Sequence, residues 1–273
     1  MKRTITTRDG IGTTAQIIQR NTLGFLRHFD QPVLIWVIKG TKHLQCNNRQ
    51  YQVNAGEFLV VDAGQTIHVT NQASDTHDYE AGWITWDNAL MVEHPEIFVI
   101  NKPHSGCLWP IKQIPTAFQQ AIKRTVQALS CPDYFPDNIA KNQITETLLW
   151  LSYLGVTFQI QETVSVSSKI RHLINTDPSE NWTAPHVANI MAMSEATLRR
   201  RLNGENCSLS ELLVEVRMNT ALTMLQSTDR SVAQIAQDVG YSSQSKFASR
   251  FRKNFGFVPT MVREKQKRDP VTI

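Results

Sequence analysis

Residues 231–259 read SVAQIAQDVGYSSQSKFASRFRKNFGFVP. Ser231 and Gln234 form an S-x-x-Q capping box, in which hydroxyl and amide each meet one orphan N–H of a starting helix. Val232, Ile235, Ala236 and Val239 then share one face at helical spacing. Gly240 suits the left-handed conformation that ends a helix, because it has no Cβ to clash. Ser242 or Ser243 can cap a second helix, which carries Phe247 and Phe251. The stretch reads as short helix, tight turn, second helix.

The same order occurs upstream in WTAPHVANIMAMSEATLRRRLN (182–203). Thr183 can cap, and Pro185 is tolerated in a first turn, where its missing N–H costs nothing. Val187, Ala188 and Met191 form the apolar face. The helix breaks near Met193 and Ser194, and Ser194 can cap a second helix bearing Leu198 and Leu202. Ala188 and Ala236 are small residues at equivalent points, where two helices must approach closely. The pattern is a helix-turn-helix written twice. Between the copies, CSLSELLVEVRMNTALTMLQST (207–228) places Leu209, Leu212, Leu213, Val216, Ala221, Leu222 and Leu225 on one face of a long connector.

Each second helix can be divided by angle, at about 100° per residue. With Leu198 and Leu202 inward, Ala196, Arg199, Arg200 and Asn203 face outward. With Phe247 and Phe251 inward, Ser245, Ala248, Ser249 and Arg252 face outward and Gln244 flanks them. Arginine reads guanine through two hydrogen bonds, glutamine suits adenine, and alanine can meet a thymine methyl. A stiff connector would set two such helices into successive major grooves, about 34 Å apart. An asymmetric double-stranded DNA site read by a single chain is therefore expected.

Charge agrees with this reading. The 273-residue chain has a formal net charge of +4. Residues 1–160 balance 13 basic against 13 acidic side chains, so the excess lies entirely beyond them. Residues 199–268 hold 13 basic and 6 acidic groups, which favours a polyanionic partner. A solvated basic face is the commoner meaning of such a surplus, and the duplicated pattern is what outweighs it.

The first hundred or so residues have another period. VLIWVIKG (33–40), KHLQC (42–46), YQV (51–53), two runs within AGEFLVVDAGQTIHVTN (55–71), and YEAGWITW (79–86) are short β-branched and aromatic runs separated by turn residues. They imply a small barrel or sandwich. Helical spacing begins with IPTAFQQAIKRTVQAL (114–129) and continues in NIAKNQITETLLWLSYLGV (138–156), whose Ile144, Leu148 and Leu151 could dimerise or pack on the barrel. The expected division is 1–160, a linker at 161–168, and a helical basic domain at 169–273.

Cys46, Cys107, Cys131 and Cys207 form no metal-binding spacing, so four reduced thiols are expected. No apolar run approaches the ~18 residues of a membrane span. The start, MKRTITTRDGIGTTAQ, has no secretory apolar run, so a cytoplasmic location is expected.

The run IAQDVGYSSQSKFASRFRKNFGFVPTMVR (235–263) resembles the signature of the AraC/XylS transcription regulators, through Ile235-Ala236, Gly240-Tyr241, Phe247, Phe251-Arg252-Lys253, Phe255-Gly256, Pro259 and Arg263. LRRRL (198–202), Leu212 and the 217–225 helix fit the same domain, and the likeness covers about 168–265. It is nearest in character to the enterobacterial virulence and acid-resistance regulators of that family. The resemblance implies an α+β two-domain protein: a cupin-like β-barrel with trailing helices, then an all-α domain with two helix-turn-helix units. It implies base contacts at Ala196, Thr197, Arg199, Arg200, Gln244, Ser245, Ala248 and Ser249, and phosphate contacts at Arg252 and Lys253.

It further implies transcriptional activation, RNA polymerase as a partner, a homodimer, and a small effector in the barrel, with a fatty acid as the candidate class. Trp36, His68, Trp83, Arg27 and Lys39 are the candidate effector residues; His28, Lys42, Arg49 and Trp86 are weighed beside them. His68 has no nearby His-x-His partner, so no metal, cofactor or catalysis is expected. Two other classes remain open: an interaction module whose basic face meets an acidic partner, and a cupin-type enzyme.

Overall fold

The strands of the first unit are divided between two antiparallel sheets. The structure is a computed structural model that describes residues 4–74, 76–87, 90, 107–156, 158 and 165–263. By contact the chain divides into two units, one of 1–160 with 226–229 and 261–273, the other of 161–225 and 230–260. The following helix begins at Val166, inside the span expected to be linker.

Ten strands occur among the described residues: β1 (Ile5–Arg8), β2 (Gly12–Gln19), β3 (Leu23–Phe29), β4 (Val33–Lys39), β5 (Thr41–Cys46), β6 (Arg49–Asn54), β7 (Phe58–Val61), β8 (Gln65–Gln72), β9 (Tyr79–Trp86) and β10 (Leu108–Ile111). One sheet runs β1-β2-β9-β4-β7-β10 and the other β3-β8-β5-β6. Ile67, Val69 and Asn71 are buried while His68 and Gln72 are exposed, the period-2 pattern of a strand with one wet face. Helices α1 (Thr116–Ser130) and α2 (Asp137–Tyr153) cover the larger sheet. Phe118, Ile122, Ile144, Leu148 and Leu151 join Leu34, Val60, Ile84 and Trp86 in one core. Arg8 ties β1 to this helix pair, donating to the carbonyls of Ala128 at 2.9 Å and Phe135 at 2.7 Å, and pairing with Asp137.

Two expectations change here. Ile144, Leu148 and Leu151 are at most 1% exposed, so packing on the sheet takes them and leaves them unfit for a dimer face. The exposed apolar residues of α2 are instead Ile139, Leu149 and Tyr153. Four reduced thiols are also not found: Cys46 and Cys107 are joined in a disulfide, leaving Cys131 and Cys207 free. The pair is separated by 61 positions, so only the fold brings it together.

The remaining helices are α3 (Val166–Thr176), α4 (Ala184–Ile190), α5 (Glu195–Gly204), α6 (Leu209–Ser227), α7 (Val232–Asp238) and α8 (Gln244–Phe255). A 3-10 turn follows at Pro259–Val262. Ile170, Ile174, Val187, Leu198, Leu202, Leu212 and Val216 form one core around the first helix pair. No described helix is long and apolar enough to cross a membrane.

Candidate nucleic-acid interface

Local chemistry sets both helix pairs. Thr183, Ser194, Ser231 and Ser243 cap α4, α5, α7 and α8, each accepting from the backbone N–H three residues on. The Ser231–Gln234 capping box is complete in both directions. The turns share their hydrogen bonds: Met193 N donates to Ala188 O at 3.0 Å, and Tyr241 N to Ala236 O at 2.8 Å. This is the six-to-one bond of a Schellman ending, which needs a left-handed residue. Gly240 fills that role at φ 80° and Ala192 at φ 50°.

The second turn is one residue longer, because its cap is Ser243 and lies three positions after the left-handed residue rather than two. A Cβ on Gly240 would also come within 2.6 Å of the Arg217 guanidinium. Gly240→Ala is expected to lower the stability of this unit by about 2 kcal/mol, from left-handed strain plus that clash. Urea unfolding followed by circular dichroism checks it.

α5 and α8 present the faces expected of them. Leu198, Leu202, Phe247 and Phe251 are at most 2% exposed. On the other side of α5, Ala196, Arg199 and Arg200 are exposed and Thr197 is half-buried. On α8, Gln244, Ser245, Ser249, Arg252 and Lys253 are exposed and Ala248 is half-buried. Ser245, Ala248, Ser249, Arg252 and Lys253, with Val258, line one shallow groove. Val258 is a member that helix angles could not reveal, since it follows the helix. Arg201 is exposed too and was missed, because the angular test assigned it to neither face. Arg250 interacts with Tyr241, whose phenol is pushed up by burial and eased down by Arg250 and Arg217.

The effector candidates of the first unit are scattered. His68 is exposed on β8, and Lys39 is exposed and ion-paired with Glu80 at 2.7 Å. Trp36 packs beside Phe58 and over Gly82, on the face covered by α1 and α2. Trp83 lies on the opposite face of β9, the one it shares with Tyr79 by alternation.

Lys42 reaches that interior. It is 3% exposed, donates to Asn71 Oδ1 at 2.6 Å, and its ammonium sits 5.3 Å from the Tyr79 ring centre. Asn71 in turn donates to Gln19 Oε1 at 3.2 Å. Burial pushes Lys42 down to about 7, and the charge of Arg27 acts in the same direction. Tyr79 Oη and Trp83 Nε1 are buried without a hydrogen-bond partner among the described residues. Arg27 and Lys42 are thus brought together beside Tyr79; Trp83 shares the Tyr79 face four residues along β9, and Trp36, His68 and Lys39 lie elsewhere. No cluster of three or more His, Cys, Asp or Glu set to hold a metal occurs among the described residues.

A sequence profile described as "Helix-turn-helix domain" matches residues 187–265. The chain is 30% identical over 216 residues to the HTH-type transcriptional regulator YdeO of Escherichia coli CFT073, covering 78% of this chain and 83% of the relative. It is 31% identical over 122 residues to the HTH-type transcriptional activator CfaD of Escherichia coli, covering 42% and 46%. Its fold is similar to that of unsaturated fatty acid bound wild-type ToxT from Vibrio cholerae, with a TM-score of 0.60, 14% identity, and 94% and 98% of the two chains covered.

Proposed function

The chain belongs to the AraC/XylS family of DNA-binding transcription regulators, and on that premise we propose that both helix-turn-helix units of one chain read one asymmetric site. In this reading α5 enters one major groove and α8 the next. Arg199 and Arg200 read bases, with Ala196 and Thr197 beside them at the groove floor. Gln244 suits adenine, and the small Ser245, Ala248 and Ser249 let α8 sit deep. Arg252 and Lys253 hold phosphates, fixing register without reading sequence. The observation that carries the proposal is two capped helices, each with an aliphatic or aromatic face fully buried and a small, basic face left exposed.

Gel-shift titration at several salt concentrations against genomic competitor tests it. Specific duplex binding with a steep salt slope is the expected result. Binding to acidic protein but not to duplex would favour the interaction-module reading instead. Lys253→Ala is expected to weaken binding to all sequences alike and to reduce the salt slope by about 1.

The sign of regulation we propose is activation, by contact with RNA polymerase; CfaD bears the name of an activator. A DNA target implies action in the cytoplasm, and no residue is assigned a catalytic role. Homodimerisation is proposed through the exposed Ile139, Leu149 and Tyr153.

For the first unit we propose a small anionic effector, with a fatty acid as the leading class. Its support is the interior cation Lys42 close to Arg27, and the unpartnered buried donors of Tyr79 and Trp83. Calorimetry with decanoate is expected to show stoichiometric binding that Lys42→Met abolishes. No heat with the unaltered protein removes the effector from the account and leaves DNA reading untouched.

A further inference from the structure

Arg217 lies midway along the connector α6 and is half-buried. Its guanidinium is divided between two structural elements. Nε donates to Pro178 O at 2.8 Å, and Nη2 donates to Glu180 O at 3.0 Å. Both carbonyls belong to the loop between α3 and α4, just ahead of the first helix-turn-helix. That loop is itself held, because Trp182 Nε1 donates to Asp177 O at 2.8 Å. On its other side, the guanidinium lies 5.9 Å from the Tyr241 ring centre, at the turn of the second helix-turn-helix.

The two elements meet at this point. The Cβ position of Gly240 falls 2.6 Å from Arg217 Nη2 and 3.1 Å from Ser179 O. Gly240 is therefore constrained by close approach as well as by its left-handed backbone. A planar fork fits two fixed carbonyls while leaving a face for an aromatic ring; a lysine ammonium is a point donor and cannot do all three. Arg217 is carried by the connector and lies on neither reading helix.

We propose that Arg217 is a specificity-determining positioning residue: it locks the loop before the first helix-turn-helix to the turn of the second, and so sets the base-pair spacing that the two reading helices accept. Its role is to hold the phase between α5 and α8, with no contact to DNA. This rests on the two-groove reading proposed above. A shift of one base pair rotates one half-site by about a tenth of a turn relative to the other, so loosening this lock should widen spacing tolerance.

The test uses the full-length protein and three sets of duplexes: the selected site, the site with one base pair inserted or removed between its halves, and the half bound by α5 alone. Arg217→Lys keeps the charge and stem but gives up the fork, and Arg217→Met loses both. The expected result is a preference for native spacing that falls at least threefold in the lysine variant and tenfold in the methionine variant. Affinity for the half-site should stay within twofold of the unaltered protein. Spacing preference kept within twofold in both variants overturns the proposal. So does an equal loss on every duplex, the half-site included, since that marks general destabilisation. Should the methionine variant fail to fold, the lysine variant decides. Indifference to spacing in the unaltered protein overturns the two-groove reading itself, an outcome distinct from failure of Arg217 alone.

Discussion

Changing Arg199 and Arg200 together to alanine is expected to abolish sequence preference at the first half-site while leaving the fold intact. Both side chains are exposed on α5, so their loss opens no cavity and exposes no core. Each bidentate contact to guanine is worth about 1–3 kcal/mol, and the pair acts at neighbouring bases. Specific affinity should therefore drop on the order of a hundredfold or more, while residual binding persists through Arg252 and Lys253. Competition between the selected site and genomic fragments measures this. Retention of full preference by the double variant would show that these arginines are merely solvated.

The second large effect concerns the stability of the first unit. Lys42 is 3% exposed, and burial holds it at about 7, against 10.5 for the ordinary side chain. A lowered folded value means that the unfolded chain binds more protons between these two pH values. Stability therefore rises as pH climbs from about 7 towards 10.5, and the full cost of charging Lys42 is present below pH 7. Each tenfold change in proton affinity is worth ~1.36 kcal/mol, so the ceiling on that cost is about 5 kcal/mol. Lys42→Met removes the buried charge but strands Asn71 Oδ1, which returns about 1–3 kcal/mol. The net expectation at pH 6.5 is a variant more stable by about 2 kcal/mol. Urea unfolding at pH 6.5 and 9 should show the unaltered protein gaining more stability with pH than the variant does. Equal gains in both would mean that Lys42 is solvated and titrates normally. The same substitution is expected to remove effector binding, so stability and binding should part company at this residue.

The two reading helices were legible because their signals are local. A capping residue and an apolar repeat, joined in the second helix-turn-helix by a glycine at the turn, lie within about a dozen positions of each other and need no tertiary partner. Even so, choosing Ser243 over Ser242 required the backbone, because both are adequate caps. The first unit was harder. β1, β2 and β3 were not individually resolved from sequence, since Thr6, Thr7, Thr13 and Thr14 blur the alternation. β4 buries residues on both faces, so VLIWVIKG carries no mark of which side Trp36 takes.

Lys42 is different, because a signal did exist. Leu44 and Cys46 are buried on β5, and the period of two places Lys42 on the same inward face. Its charge set it beside the effector candidates, and the period of two is what marks it as interior. The Cys46–Cys107 bond and the reach of Arg217 had no sequence signal, since each depends on segments tens of residues apart.

The most direct test of the central claim is a hydroxyl-radical footprint of the full-length protein on a site selected from genomic fragments. Two protected windows on one face of the duplex, about ten base pairs apart and unequal in sequence, are predicted for one bound chain. Arg199→Ala with Arg200→Ala should erase one window and leave the other faint. A single window, or two identical half-sites that fill only as a second chain binds, would contradict the account.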